Sequence, residues 1–161
     1  MNIGFLGMGN LAGAILRGIL QSELFNARSI HAFDVDAKKL TLAAHKLGFN
    51  AAENACEVVD KCDLVFVAVK PADISALLKE TQETFKSKKP LIVSTAAGTT
   101  LEYLSSQLGF EAALVRIMPN INAGIGESMT AYCANGNVSD EQVRTVENIL
   151  TTFGKMIKLE E

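Results

Sequence analysis

The chain has 161 residues, 48% of them hydrophobic and 20% charged, with a formal net charge of -3. That length and composition suit one domain with a sizeable core. No basic run occurs, aromatics make up 6% and Trp is missing, which argues against a phosphate-binding nucleic-acid surface or a base-stacking platform.

Ile3, Phe5 and Leu6 read as a short buried strand. From Asn10 to Leu20, Leu11, Ala14, Ile15, Leu16 and Ile19 fall at helical spacing, with Arg17 polar. Ser29 to Phe33 reads as a second strand. Asp36 is placed to N-cap a helix carrying Leu40, Ala43, Ala44 and Leu47, with Gly48 at its C′ position. Leu64 to Val69, "LVFVAV", is a continuous valine-rich run, as expected of a strand covered on both faces. Ile74 to Phe85 has helical periodicity, and Leu91 to Ser94 is a strand. Thr99 and Glu102 suggest a capping box for a helix ending near Leu108, before Gly109. Ala113 to Met118 is a strand stopped by Pro119, and Ser128 to Ala134 alternates more weakly as a further strand. Ser139 and Gln142 form a second capping box for a helix through Phe153, and Lys155 to Leu159 reads as a last strand. Strands and helices thus alternate along 1–161. The expected fold is α/β: a single Rossmann-type domain with a doubly wound, mostly parallel sheet.

Gly7, Gly9 and Ala12 give G-x-G-x-x-A between the first strand and the first helix. Each position has a physical reason. Gly7 makes the tight turn, Gly9 lets a pyrophosphate approach the backbone, and Ala12 lets helix and sheet pack closely. The helix N-terminus offers unpaired N–H groups and partial positive charge to the phosphates. The alternative is a glycine turn serving packing alone, but strand, turn, helix and next strand all agree with a dinucleotide cradle. Asp34 ends the second strand, 22 residues after Ala12. A carboxylate there accepts bonds from the adenosine ribose hydroxyls and repels a 2′-phosphate, which leans toward NADH over NADPH.

Ligands of such sheets sit outside the carboxyl ends of the strands. Those ends carry Lys70-Pro71, then Thr95-Ala96-Ala97-Gly98, then Met118-Pro119-Asn120. These small and polar loops can line a flat cofactor. Asn120 equally suits a turn. No nucleophile signature appears, and His31 (in a strand) and His45 (on a helix) do not read as general acids. The sequence therefore offers a cofactor site and no catalytic acid or base. Cys56, Cys62 and Cys133 lack Cys-x-x-Cys spacing, so no metal cage is expected and reduced thiols fit a cytoplasmic chain. No signal peptide or membrane-spanning run is expected.

"IGFLGMGNLAGAILRGIL", "FVAVKP", "LIVSTAAGTTLEYL" and "VRIMPNINAGIGESMTAYCANGNVSDEQV" resemble the N-terminal domain of pyrroline-5-carboxylate reductases, and "FGKMIKLEE" is similar to that domain's last helix end and strand. The resemblance implies reduction of the C=N bond of 1-pyrroline-5-carboxylate, a cyclic imino acid, to proline by NADPH or NADH. It places Leu6, Gly7, Met8, Gly9, Asn10 and Leu11 at the phosphates, and Asp34 and Asn54 at the adenosine end. Ala68, Val69, Lys70, Pro71, Thr95, Ala96 and Ala97 would line the path to the nicotinamide, with Met118, Pro119 and Asn120 near the reacting ring. The family continues Met-Pro-Asn with Thr-Pro, where this chain has Ile121 and Asn122. The family also has a C-terminal helical domain that forms the homo-oligomer and contributes the substrate pocket. The sequence stops where that domain would begin, as an excised cofactor domain or a natural short relative, so the chain alone is expected to bind dinucleotide and to reduce its substrate poorly. Competing readings are another imine or carbonyl reductase with the same cofactor domain, such as a β-hydroxyacid dehydrogenase or deazaflavin-dependent type, and a non-catalytic nucleotide sensor.

Overall fold

The computed structural model describes residues 1–161, except for the side chain of Ile121. The strands are β1 (Ile3–Leu6), β2 (Ile30–Phe33), β3 (Asn50–Ala51), β4 (Leu64–Val67), β5 (Leu91–Ser94), β6 (Leu114–Met118), β7 (Ser128–Ala134) and β8 (Gly154–Lys158). The helices are α1 (Asn10–Gln21), α2 (Ala37–Leu47), α3 (Ala55–Lys61), α4 (Ile74–Lys88), α5 (Leu101–Leu108) and α6 (Asp140–Thr151). The strands form one sheet in the order β3-β2-β1-β4-β5-β6-β7-β8. Neighbouring strands are parallel except β6 and β7, which are antiparallel.

The apolar strand runs dictate two covered faces. In β4, Leu64 and Phe66 join one buried cluster with residues of α1, α2 and α6. Val65 and Val67 join the other, with residues of α3, α4 and α5. Phe66 stacks on Phe5 of β1 with ring centroids 4.9 Å apart. Burying each such side chain contributes about 1.5–3 kcal/mol, which favours one register for the central strands. β1 pairs with β2 on one side and β4 on the other. The chain winds outward in one direction and then the other from β1, so the winding reverses at the carboxyl ends of β1 and β4, where such sheets open a crevice.

Most predicted elements stand, with ends shifted by a few residues. β4 stops at Val67, and Ala68 and Val69 belong to the turn that follows. Asp36 accepts the Lys39 N–H at 3.0 Å, Gly48 ends α2 in the left-handed region, and Ser139 and Gln142 form the capping box of α6. The cap of α5 differs. Thr100, not Thr99, accepts the Tyr103 N–H at 3.1 Å. The Thr99 hydroxyl is turned inward and donates to the Ala96 carbonyl at 2.8 Å, out of reach of the helix. The sequence reading also lacks β3 and α3. α3 is seven residues long and begins where Asn54 Oδ1 accepts the Glu57 N–H at 2.9 Å.

Candidate functional site

The glycine turn joins β1 to α1 and its two glycines do different work. Gly7 has φ +94°, a conformation that disfavours any Cβ. Its N–H donates to the Phe33 carbonyl at 2.8 Å, and a Cβ there would lie 2.7 Å from the Ala68 carbonyl oxygen. Gly7 is therefore required by the protein itself. Gly9 is the N-cap of α1 with φ -68°, and a Cβ there would meet nothing within 4 Å. The space beside Gly9 is open, and the first turn of α1 carries no acidic residue to neutralise its N–H groups. That is the geometry of an anion cradle.

Asp34, at the end of β2, holds this turn. Its Oδ2 accepts the Met8 N–H at 2.6 Å and its Oδ1 accepts the Asp36 N–H at 2.9 Å. The Met8 side chain is buried in the core beneath. So one carboxylate sets the path of both the glycine loop and the loop after β2, a coupling invisible in the sequence.

Two hollows flank the turn. One, of about 310 Å³, lies between the turn, the β2 end and α4, with Leu6, Gly7, Asp34 and Val69 in its walls. The other, of about 430 Å³, lies between α1 and the loop after β6, with Asn10, Leu11, Pro119 and Asn120 in its walls. The first suits an adenosine and the second the opposite end of an extended dinucleotide, with the cradle between them.

The remaining sequence candidates take these places. Lys70 and Ala97 are exposed beyond the ends of β4 and β5, Thr95 and Pro119 are half-buried, and Ala96 is buried in the core. Pro71 starts a short 3-10 turn that leads into α4. Met118 is half-exposed at the end of β6. Asn120 caps the following 3-10 turn, accepting the Asn122 N–H at 3.2 Å, so the turn role is realised. Asn54 caps α3, and neither it nor Ala68, Lys70, Pro71, Thr95, Ala96, Ala97 or Met118 is among the residues lining either hollow.

Groups elsewhere are held in their ordinary neutral or paired states. Burial and then the Lys61 charge lower the pKa of His31, which pairs with Gly4 and Asn50 inside the sheet. Burial pushes the Cys62 thiol up to about 12. Burial also pushes the Tyr132 phenol up to about 12, helped by its hydrogen bond to Glu147. Burial opposes ionisation of Glu161, but Arg116 Nη1 at 2.6 Å and the Leu101 N–H at 2.7 Å outweigh it and hold the carboxyl low. None of these lines the two hollows. Among the described residues no His, Cys, Asp and Glu cluster could hold a metal, and no helix is long and apolar enough to cross a membrane.

A family model described as NADP oxidoreductase coenzyme F420-dependent matches residues 2–98. The chain is 37% identical over 153 residues to pyrroline-5-carboxylate reductase of Escherichia coli, covering 95% of this chain and 56% of that one. Its structure is similar to that of a Coxiella burnetii pyrroline-5-carboxylate reductase, with a TM-score of 0.94 and 28% identity over 99% of this chain and 59% of that one. It is also similar to the Plasmodium falciparum pyrroline carboxylate reductase solved with NADP bound, with a TM-score of 0.89 and 25% identity over 100% of this chain and 58% of that one. The chain thus spans somewhat over half the length of these relatives.

Proposed function

We propose, given that this chain belongs to the family described as NADP oxidoreductase coenzyme F420-dependent, that it is the cofactor-binding part of a pyrroline-5-carboxylate reductase. The observation that carries the substrate class is the reach of the likeness. The family model ends at residue 98, whereas the Escherichia coli reductase matches 95% of the chain. The stretch beyond residue 98 holds Arg116-x-Met118-Pro119-Asn120, the end of β6 and the turn after it, of which Pro119 and Asn120 line the second hollow.

In this reading the backbone of Gly7 to Leu11 and the N-terminus of α1 receive the pyrophosphate. Asp34 orients the ribose of the adenosine and keeps the glycine loop in place. Thr95 to Ala97 and Met118 to Asn120 position the nicotinamide end. Bound there, the reduced dinucleotide would supply a hydride to the C=N carbon of 1-pyrroline-5-carboxylate, which with one proton taken up at the nitrogen gives proline and the oxidised dinucleotide. The chain's own residues contribute position and electrostatics. Asp34 favours NADH, because its carboxylate accepts ribose hydroxyls and opposes a 2′-phosphate.

Calorimetric titration of the chain with NADH and NADPH tests the cofactor part; equal or tighter NADPH binding refutes the Asp34 argument. Joining the chain to the uncovered C-terminal portion of the Escherichia coli relative, and assaying with 1-pyrroline-5-carboxylate and NADH, tests the reaction. Proline formation by the joined protein supports the reductase. A folded, dinucleotide-binding fusion without turnover favours the sensor reading, toward which the Ile121-Asn122 departure points.

A further inference from the structure

The wall of the adenosine hollow opposite Asp34 is formed by α4 and the turn before it. Asp73, Ala76, Leu77 and Glu80 line it, at positions i, i+3, i+4 and i+7, which is one stripe of a helix. The stripe has an apolar middle, suited to the face of an adenine, and a carboxylate at each end. Asp73 stands at the N-cap position of α4, yet its side chain makes no capping hydrogen bond. Neither Asp73 nor Glu80 takes part in an ion pair among the described residues. Asp34 adds a third carboxylate, and no Lys or Arg lines the hollow. Lys38, the first basic residue after Asp34, lines a separate shallow depression with Thr41 and Leu42. Discrimination between dinucleotides is usually read from the β2 end alone; here the opposing wall carries the same sign.

We propose that Asp73 and Glu80 act with Asp34 as a charge barrier that excludes a ribose 2′-phosphate, so that specificity for the unphosphorylated dinucleotide is set by α4 as well as by β2. The proposal rests on the reading of this crevice as a dinucleotide site. Asp73 and Glu80 are exposed, so their repulsion acts through water-rich surroundings and is screened by salt.

The test measures Kd for NADH and NADPH, with ADP and 2′-phospho-ADP-ribose as hydride-free probes, on the chain and on Asp73→Asn, Glu80→Gln and the double variant. The expected result is a preference for NADH in the unsubstituted chain. Each substitution lowers the NADPH-to-NADH ratio of Kd about three- to tenfold at low salt, and about 0.5 M salt erases most of that gain. A ratio unchanged in the double variant, with NADH still bound, overturns the proposal. A ratio change insensitive to salt also overturns it, because a structural effect of α4 would not be screened. Binding of neither dinucleotide by the unsubstituted chain overturns the reading of the crevice itself, and this proposal with it.

Discussion

The two glycines of the turn allow a paired substitution that separates stability from binding. Gly9→Val places a side chain where a Cβ meets nothing within 4 Å. The fold then loses little more than the poorer N-cap, about 1 kcal/mol. The same side chain fills the space a pyrophosphate needs at the α1 N-terminus. Losing two charge-assisted backbone hydrogen bonds, each worth roughly 1.5–3 kcal/mol, removes about 3–6 kcal/mol of binding. That corresponds to a fall in affinity on the order of 10²- to 10⁴-fold. Gly7→Ala acts oppositely. Its φ of +94° strains any Cβ, which would also lie 2.7 Å from the Ala68 carbonyl oxygen. Strain of roughly 1–3 kcal/mol plus displacement of the β4 end gives a stability loss of about 3 kcal/mol. Urea unfolding of both variants, together with NADH titration of each at a temperature where it remains folded, checks the pair. The reasoning is refuted if Gly9→Val binds NADH within about threefold of the parent chain, or if it loses as much stability as Gly7→Ala.

Asp34→Ala removes the acceptor of the Met8 and Asp36 N–H groups; unfolding in urea should show a loss of about 1.5–3 kcal/mol, and no loss would mean that the tether is idle. Gly154→Ala should prevent β8 from pairing, because φ is +153° and a Cβ would run into the Ser128 carbonyl oxygen. Circular dichroism and a thermal melt would show a loss of roughly 3 kcal/mol or more, and a native-like melt would contradict the close approach. Alkaline pH should also destabilise the chain. The fold favours the neutral Tyr132 phenol, whose pKa is pushed from 10.0 to about 12, so its contribution is complete below pH 10 and is lost as pH rises from there toward 12. Cys62, pushed from 9.0 to about 12, adds a loss of the same sign that begins one unit lower. Urea midpoints between pH 8 and 12 should fall less steeply in Tyr132→Phe; an unchanged slope would show that the phenol does not ionise in the unfolding step.

The sheet was legible because strands covered on both faces must be apolar along their whole length, as Leu64 to Val67 are. Caps at Asp36, Gly48 and Ser139 were legible because they use local bonds whose partners lie within four residues. The cap at Thr100 was displaced by one residue because Thr99 is an equally good hydroxyl that the fold turns toward Ala96. β3 left no pattern, since both its residues are exposed. α3 is short, and its cap, Asn54, resembles a ligand as readily as a helix start. In the site, G-x-G-x-x-A disclosed the tight turn between β1 and α1, whereas the acidic stripe of α4 could not be found from spacing alone. Asp73 and Glu80 matter only because α4 packs beside the β2 end, a tertiary fact. The double duty of Asp34 is of the same kind.

The pairing of β1 also has a consequence for the order in which the chain acquires structure. Ile3 is paired with Ile30 on one side and Leu64 on the other, while β6 and β7 form their antiparallel pair from residues much closer in sequence. During synthesis the glycine loop is made before β2 and has no Asp34 tether until β2 follows. Its central strand stays open on one edge until Val67 has appeared. Contacts of such sequence separation form slowly. The glycine loop is therefore completed late, gaining its Asp34 tether with β2 and its second flanking strand only after β4 has docked.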